Sequence, residues 1–167
     1  MRTEVAQHGA MNPVPRGQRV FILSPATAHG PRALLLRKPD SDSAFARRVR
    51  EEGAPLGEVF SFLSGLYFRG KLEYARAFAR SVRNVEGVHV ITMTDGLLSP
   101  DARISTQDLE RFALCPEGAD AASALLERTA RALAEQAGAD AEIILLGSVS
   151  TGKYTDILAP IFGERLF

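Results

Sequence analysis

Residues Glu142 to Thr155 read EIILLGSVSTGKYT. An apolar run of strand length passes into a loop that holds Gly147, Gly152, Lys153 and the hydroxyls of Ser148, Ser150 and Thr151. A helical pattern follows, from about Lys153 to Phe162, interrupted at Pro160. A strand that hands over to a glycine-bearing loop at a helix start lets backbone N–H groups face an anion. Gly147, Ser148, Ser150, Thr151, Gly152 and Lys153 are therefore candidate ligand-binding residues, for a nucleotide or another phosphorylated small molecule.

Gly147 to Lys153 satisfies the spacing G-x-x-x-x-G-K. A P-loop next requires Ser or Thr to meet Mg²⁺, and Tyr154 stands there. The loop also comes late, whereas P-loop NTPases place it early so that most of the sheet follows. Hydrolysis of the P-loop kind is thus disfavoured. An anion pocket of another lineage and a purely structural strand-to-helix turn stay open as readings.

Working outward, Arg19–Ser24 (RVFILS) and Val88–Met93 (VHVITM) have the apolar continuity of buried strands. Ala33–Arg37 (ALLLR) reads as a short strand, and Leu56–Leu63 (LGEVFSFL) as a strand or a helix start. Leu66–Val82 is helical: Phe68, Leu72, Ala75, Ala79 and Val82 make a core face, beside a stripe of Arg69, Glu73, Arg76, Arg80 and Arg83. That stripe reads as a solvated face. Thr94–Ser105 reads as a long loop. Ser105 with Asp108 resembles a capping box that opens a helix to Leu114. Ala119–Ala137 is the longest helix, stopped by Gly138.

Strands that alternate with helices predict an α/β domain with a mostly parallel sheet covered on both faces. The loops after Ser24, Met93 and Gly147 would then gather at the carboxyl edge of that sheet, where such folds bind ligands. Residues 1–18, with Pro13, Pro15, Gly9 and Gly17, read as a flexible N-terminal arm, and Met11 offers an alternative start. Residues 19–167 read as one domain.

Lys+Arg and Asp+Glu are both 20, so the formal charge is zero and nucleic acid is not indicated. No apolar run approaches the ~20 residues of a membrane span. Nor does the amino terminus carry a secretory core. A cytoplasmic location is the expectation. A single cysteine, Cys115, precludes an internal disulfide and reads as a small buried hydrophobe. Three scattered histidines, His8, His29 and His89, give no metal-ligand spacing. The cofactor is left open, as is a homo-oligomer.

Two carboxylates are the catalytic candidates. Asp95 ends an apolar strand, although Asp95-Gly96 is also an ordinary turn pair. Glu58 sits within an apolar run, where burial would raise its pKa towards acid or base work. Asp101, after Pro100, reads as a turn or cap residue. His29, in the loop after the first strand, and Arg69 are further candidate ligand-binding residues.

The strings FSFLSGLYFRGKLEYARAFA (Phe60–Ala79), VITMTDGLLSPD (Val90–Asp101) and LLGSVSTGKYTDILAPIFGERL (Leu145–Leu166) resemble a family of uncharacterised bacterial cytoplasmic proteins. The opening VFILSPATAHGPRALLL fits the same pattern, so the likeness spans about residues 19–167. Gly96-Leu97-Leu98 followed by Asp101 is similar, more loosely, to bacterial Rossmann-like domains, some of which neighbour nucleotide or nucleic-acid modification genes. The resemblance implies a Rossmann-like three-layer α/β fold and a nucleotide-like ligand. It also implies a further Gly- and Arg-rich segment beyond Phe167, so Arg165-Leu166-Phe167 reads as a strand cut short in a truncated chain.

Two functions follow as expectations. One is an enzyme acting on a phosphorylated small molecule through residues 147–153, with N-glycoside cleavage or transfer as the reaction class and Asp95 or Glu58 as the acting carboxylate. The other is a non-catalytic ligand-sensing or assembly module.

Overall fold

The computed structural model describes residues 17–81, 84–116, 119–147 and 152–167. Its organising element is strand β1, Arg19–Leu23. Successive side chains of a strand point to opposite faces. Val20 and Ile22 thus enter one apolar cluster while Phe21 and Leu23 enter another, all at most 1% exposed. Each such side chain contributes about 1.5–3 kcal/mol by leaving water.

After β1 come helices α1 (Pro31–Arg37), α2 (Ala44–Glu51), α3 (Leu56–Ser64) and α4 (Leu66–Phe78), with a short strand β2 (Ala54–Pro55) between α2 and α3. Strands β3 (Val88–Thr92), β4 (Gly96–Leu98) and β5 (Arg103–Ile104) follow, then helices α5 (Thr106–Leu114) and α6 (Asp120–Ala137). Strand β6 (Glu142–Leu146) and helix α7 (Thr155–Phe162) complete the order, before a 3₁₀ turn at Gly163–Arg165. Among the described residues the main sheet runs β4-β3-β1-β6. Its β1 is parallel to both β3 and β6, and β4 is antiparallel to β3. The chain is therefore α/β with a mostly parallel sheet. A separate antiparallel pair joins β2 to β5.

The sheet divides two cores. Side chains of α1 to α5 pack on Phe21, Leu23, Val88 and Val90. Those of α6 and α7 pack on Val20, Ile22, Ile91 and Ile143. At the outer edge of β6, Leu166 forms a parallel bridge with Ile143, and the Phe167 N–H donates to the Ile143 carbonyl at 2.9 Å.

Three local expectations are corrected. Ala33–Arg37 is helical: Pro31 stands in its first turn, Ala33 and Leu36 are buried one turn apart, and Leu34 and Leu35 face outward. The long loop after Met93 contains β4, because Asp95-Gly96 turns the chain back along β3 with Gly96 at φ +69°. The helix expected to reach Val82 stops at Phe78, where Arg80 instead exchanges backbone hydrogen bonds with Arg19. Val82 and Arg83 lie outside the described residues. Leu56–Ser64 resolves as helix, while the Ser105–Asp108 capping box and the stop at Gly138 stand as read.

Candidate functional site at the carboxyl edge of the sheet

Strands β1, β3 and β6 are parallel, so their carboxyl ends present Ser24, Met93 and Gly147 at one edge. Adjacent β1 and β6 send their onward connections opposite ways. From β1 the chain runs through helices of the first core to β3; from β6 it runs through α7, in the second core, to Leu166. Diverging connections leave a crevice at the strand ends.

Here Gly147 lies against Ser24 and closes the ends of β1 and β6 on each other, so the open space lies beside the ends of β1 and β3. A cavity of about 140 Å³ is lined by Pro25 to His29, Met93, Phe112, Cys115, Lys153 and Tyr154. A second, of about 200 Å³, shares Met93, Lys153 and Tyr154 with it and runs between α6 and α7. A third, about 450 Å³, continues from Met93 and Cys115 along α6 to Arg128. A larger groove of about 680 Å³ lies at the opposite edge, by Arg19, Phe78 and Glu142. There Arg19 is committed to Glu142 at 2.7 Å, and α4 ends with its negative dipole end. That edge suits an anion less well.

The predicted residues fall into four groups. Gly147, Lys153 and His29 come to the carboxyl edge. His29 is exposed on the wall of the smaller cavity, and the Lys153 ammonium lies 5.3 Å from the Tyr154 ring centroid. Gly152, at φ +71°, accepts from the Asp156 N–H at 2.8 Å and opens α7. Ser148, Ser150 and Thr151 lie outside the described residues. Glu58 and Arg69 go elsewhere: Glu58 is exposed on α3 and ion-paired with Arg48, and Arg69 is exposed on α4. Neither lines the cleft.

Asp95 takes an intermediate position. It follows Met93 and Thr94 but sits in the β3–β4 turn, where its N–H donates to Thr92 Oγ1 at 3.1 Å. Its carboxylate accepts from Thr94 Oγ1 at 2.7 Å and pairs with Arg111 at 3.3 Å. Arg111 also grips Asp108 at 2.6 Å. Burial pushes the Asp108 carboxyl up, but hydrogen bonds from Arg111 and Ser105 outweigh it and hold the pKa below the usual value.

Sequence reasoning missed the pair that braces this edge. Lys71 on α4 donates to Ser24 Oγ at 2.7 Å and to the Ser24 carbonyl at 3.0 Å. Its ammonium also lies 4.7 Å from the Tyr67 ring centroid and 5.3 Å from that of Phe68. Desolvation lowers its pKa from 10.5 to about 8. The signal was present: Lys71 falls between Phe68 and Leu72 on the inward side of the helix, three residues from one and adjacent to the other. On the far side of Ser24 stands Gly147, where a side chain would collide with Ser24 Cβ and Oγ. Cys115, read as buried, is half-buried at the cavity wall and donates from Sγ to the Met93 carbonyl at 3.2 Å.

Among the described residues no group of three or more His, Cys, Asp or Glu side chains could hold a metal ion, and no helix is long and apolar enough to cross a membrane. No protein-family model, curated protein or solved structure matches the chain.

Proposed function

We propose that this chain binds a nucleotide or another phosphorylated small molecule in the cleft at the carboxyl ends of β1, β3 and β6. One observation carries the reading: the chain after β1, Met93 at the end of β3, and Lys153 and Tyr154 before α7 line one cavity at the carboxyl edge of the sheet. Open α/β sheets hold their ligands outside the carboxyl ends of their strands. Lys153 supplies a positive charge, and the α6 and α7 amino termini add the positive ends of their dipoles. The two cores on either face of the sheet support reading the fold as a Rossmann-like three-layer domain.

Binding is favoured over catalysis by the fate of the carboxylates. Glu58 is paired with Arg48 away from the cleft, and Asp95 is held by Thr94 and Arg111. This favours a ligand-sensing module. N-glycoside cleavage would draw on Asp95, the carboxylate at the right edge of the sheet, after release from Arg111.

A thermal-shift series with nucleotides and sugar phosphates tests the binding reading. Phosphorylated ligands should raise the melting temperature of the wild-type chain, and Lys153→Met should abolish the rise while leaving the unliganded melting temperature within a few degrees. A flat series across all phosphorylated ligands overturns it. Release of free base from nucleosides or nucleotides, lost in Asp95→Asn, would move the assignment from sensor to enzyme.

A further inference from the structure

Two of the cleft's three cavities share Lys153 and Tyr154, and their different chemistry specifies the ligand. The chamber of about 200 Å³ is walled by Ile91, Met93, Leu126, Tyr154 and Ile157, with Ser123 at its side. Thr92 also borders it, but Thr92 Oγ1 donates to the Gly96 carbonyl at 3.0 Å and accepts from the Asp95 N–H. The chamber of about 140 Å³ is bounded by Pro25 to His29, Met93, Phe112 and Cys115. Lys153 and Tyr154 belong to both and mark the junction.

We infer that the ligand is a mononucleotide, with its base in the apolar chamber between α6 and α7 and its single phosphate in the polar chamber beside Lys153. This rests on the binding reading above. A flat ring gains from Tyr154 stacking and from the Met93 thioether, and a phosphate there would find the Lys153 ammonium and the hydroxyl of Thr27. Each chamber is smaller than the ~300–1,000 Å³ of a site for a drug-sized ligand. Each therefore holds a fragment, and the pair holds one base and one phosphate. A second base finds no chamber across β1, where Lys71 and Gly147 close around Ser24, and the third cavity, of about 450 Å³ along α6, is lined by neither Lys153 nor Tyr154. With Thr92 bonded to its own turn and Lys153 turned to the phosphate, Ser123 is left to meet the ring, and the site grips it without reading its edge closely. Purine and pyrimidine monophosphates should differ by less than about tenfold, the discrimination of roughly one hydrogen bond.

Calorimetric titration of the full chain with AMP, CMP, ribose 5-phosphate and NAD tests this. AMP and CMP should bind at least tenfold more tightly than ribose 5-phosphate, and NAD more weakly than AMP. Ser123→Leu, which fills the apolar chamber, should cost AMP at least tenfold and leave ribose 5-phosphate unchanged. In wild-type protein, methyl resonances of Met93 and Ile157 should show ring-current shifts with AMP and not with ribose 5-phosphate, a readout that stands if the variant does not fold. Equal affinities for AMP and ribose 5-phosphate, or tighter NAD, overturn the mononucleotide assignment while leaving phosphate binding intact. Absence of binding by every phosphorylated ligand overturns both.

Discussion

Lys71 Nζ lies 2.7 Å from Ser24 Oγ and 3.0 Å from the Ser24 carbonyl, so the middle of α4 is tied to the last turn of chain before the cleft. A half-buried ammonium in this position has a stability signature in pH. Its folded pKa is about 8 against 10.5 in the unfolded chain. Between these values the unfolded state binds more protons, so stability rises as pH climbs from about 8 to about 10.5. Solvent screening at this half-exposed group limits the rise to about 1 kcal/mol. Urea midpoints measured across that range should climb in wild type and stay flatter in Lys71→Met.

Gly147 and Ser24 form the tightest approach at the carboxyl edge, since a methyl group on Gly147 would strike Ser24 Cβ and Oγ. Gly147→Ala should destabilise the fold by about 1–3 kcal/mol through overpacking. Adding Ser24→Gly should recover most of that loss, although Ser24→Gly alone destabilises. A double-mutant cycle by chemical denaturation reads the coupling, and additive effects would refute the contact.

How far the sequence discloses this arrangement depends on whether a residue's partner is local. The parallel strands were legible because RVFIL, VHVIT and EIILL are near-continuous apolar runs, broken only by Arg19, His89, Thr92 and Glu142, and are covered on both faces. The capping box was legible because Ser105 and Asp108 satisfy each other within one turn. ALLLR was misread because a short apolar run looks the same whether two of its leucines face water or the sheet. Only Pro31 marked the helix start. The hairpin was missed for a similar reason: Asp95-Gly96 signals a turn, but the return strand Gly96–Leu98 is too short to show alternation. Of the candidate site, His29 and Lys153 reached the wall of the cleft. Glu58 did not, because an acidic residue in an apolar run can sit on the outer side of a helix, where Arg48 meets it.

Thr129 links that hairpin to the second core. Its Oγ1 accepts the Leu97 N–H at 3.0 Å and donates to the Leu125 carbonyl at 3.0 Å. Thr129→Val keeps the shape and leaves the Leu97 N–H without its acceptor, at a cost of about 1–3 kcal/mol. Amide exchange at Leu97 should accelerate well beyond that of Val90 in the neighbouring strand.

Arg111 holds Asp95 and Asp108 together on the first-core side of the cleft. Because the Asp108 pKa lies below the unfolded value, its contribution is present above pH ~4 and fades as pH falls through the folded pKa. Arg111→Ala should raise the Asp108 pKa, seen by carboxyl NMR titration, so that acid destabilisation begins at higher pH. At neutral pH the exposed pairs make the loss small, about 0.5–1 kcal/mol.

Strand β1 belongs to both cores at once, with Val20 and Ile22 on one side and Phe21 and Leu23 on the other. Its sequence therefore has a phase as well as a composition. A one-residue insertion between Val20 and Phe21 would leave the strand as apolar as before, yet hand each core the side chains shaped for its neighbour. An insertion of the same size after His29 would lengthen an exposed loop and leave both cores in register. Tolerance to insertion thus changes abruptly within a few residues of chain, and a library of single-residue insertions across residues 19–30 would display the boundary as a step.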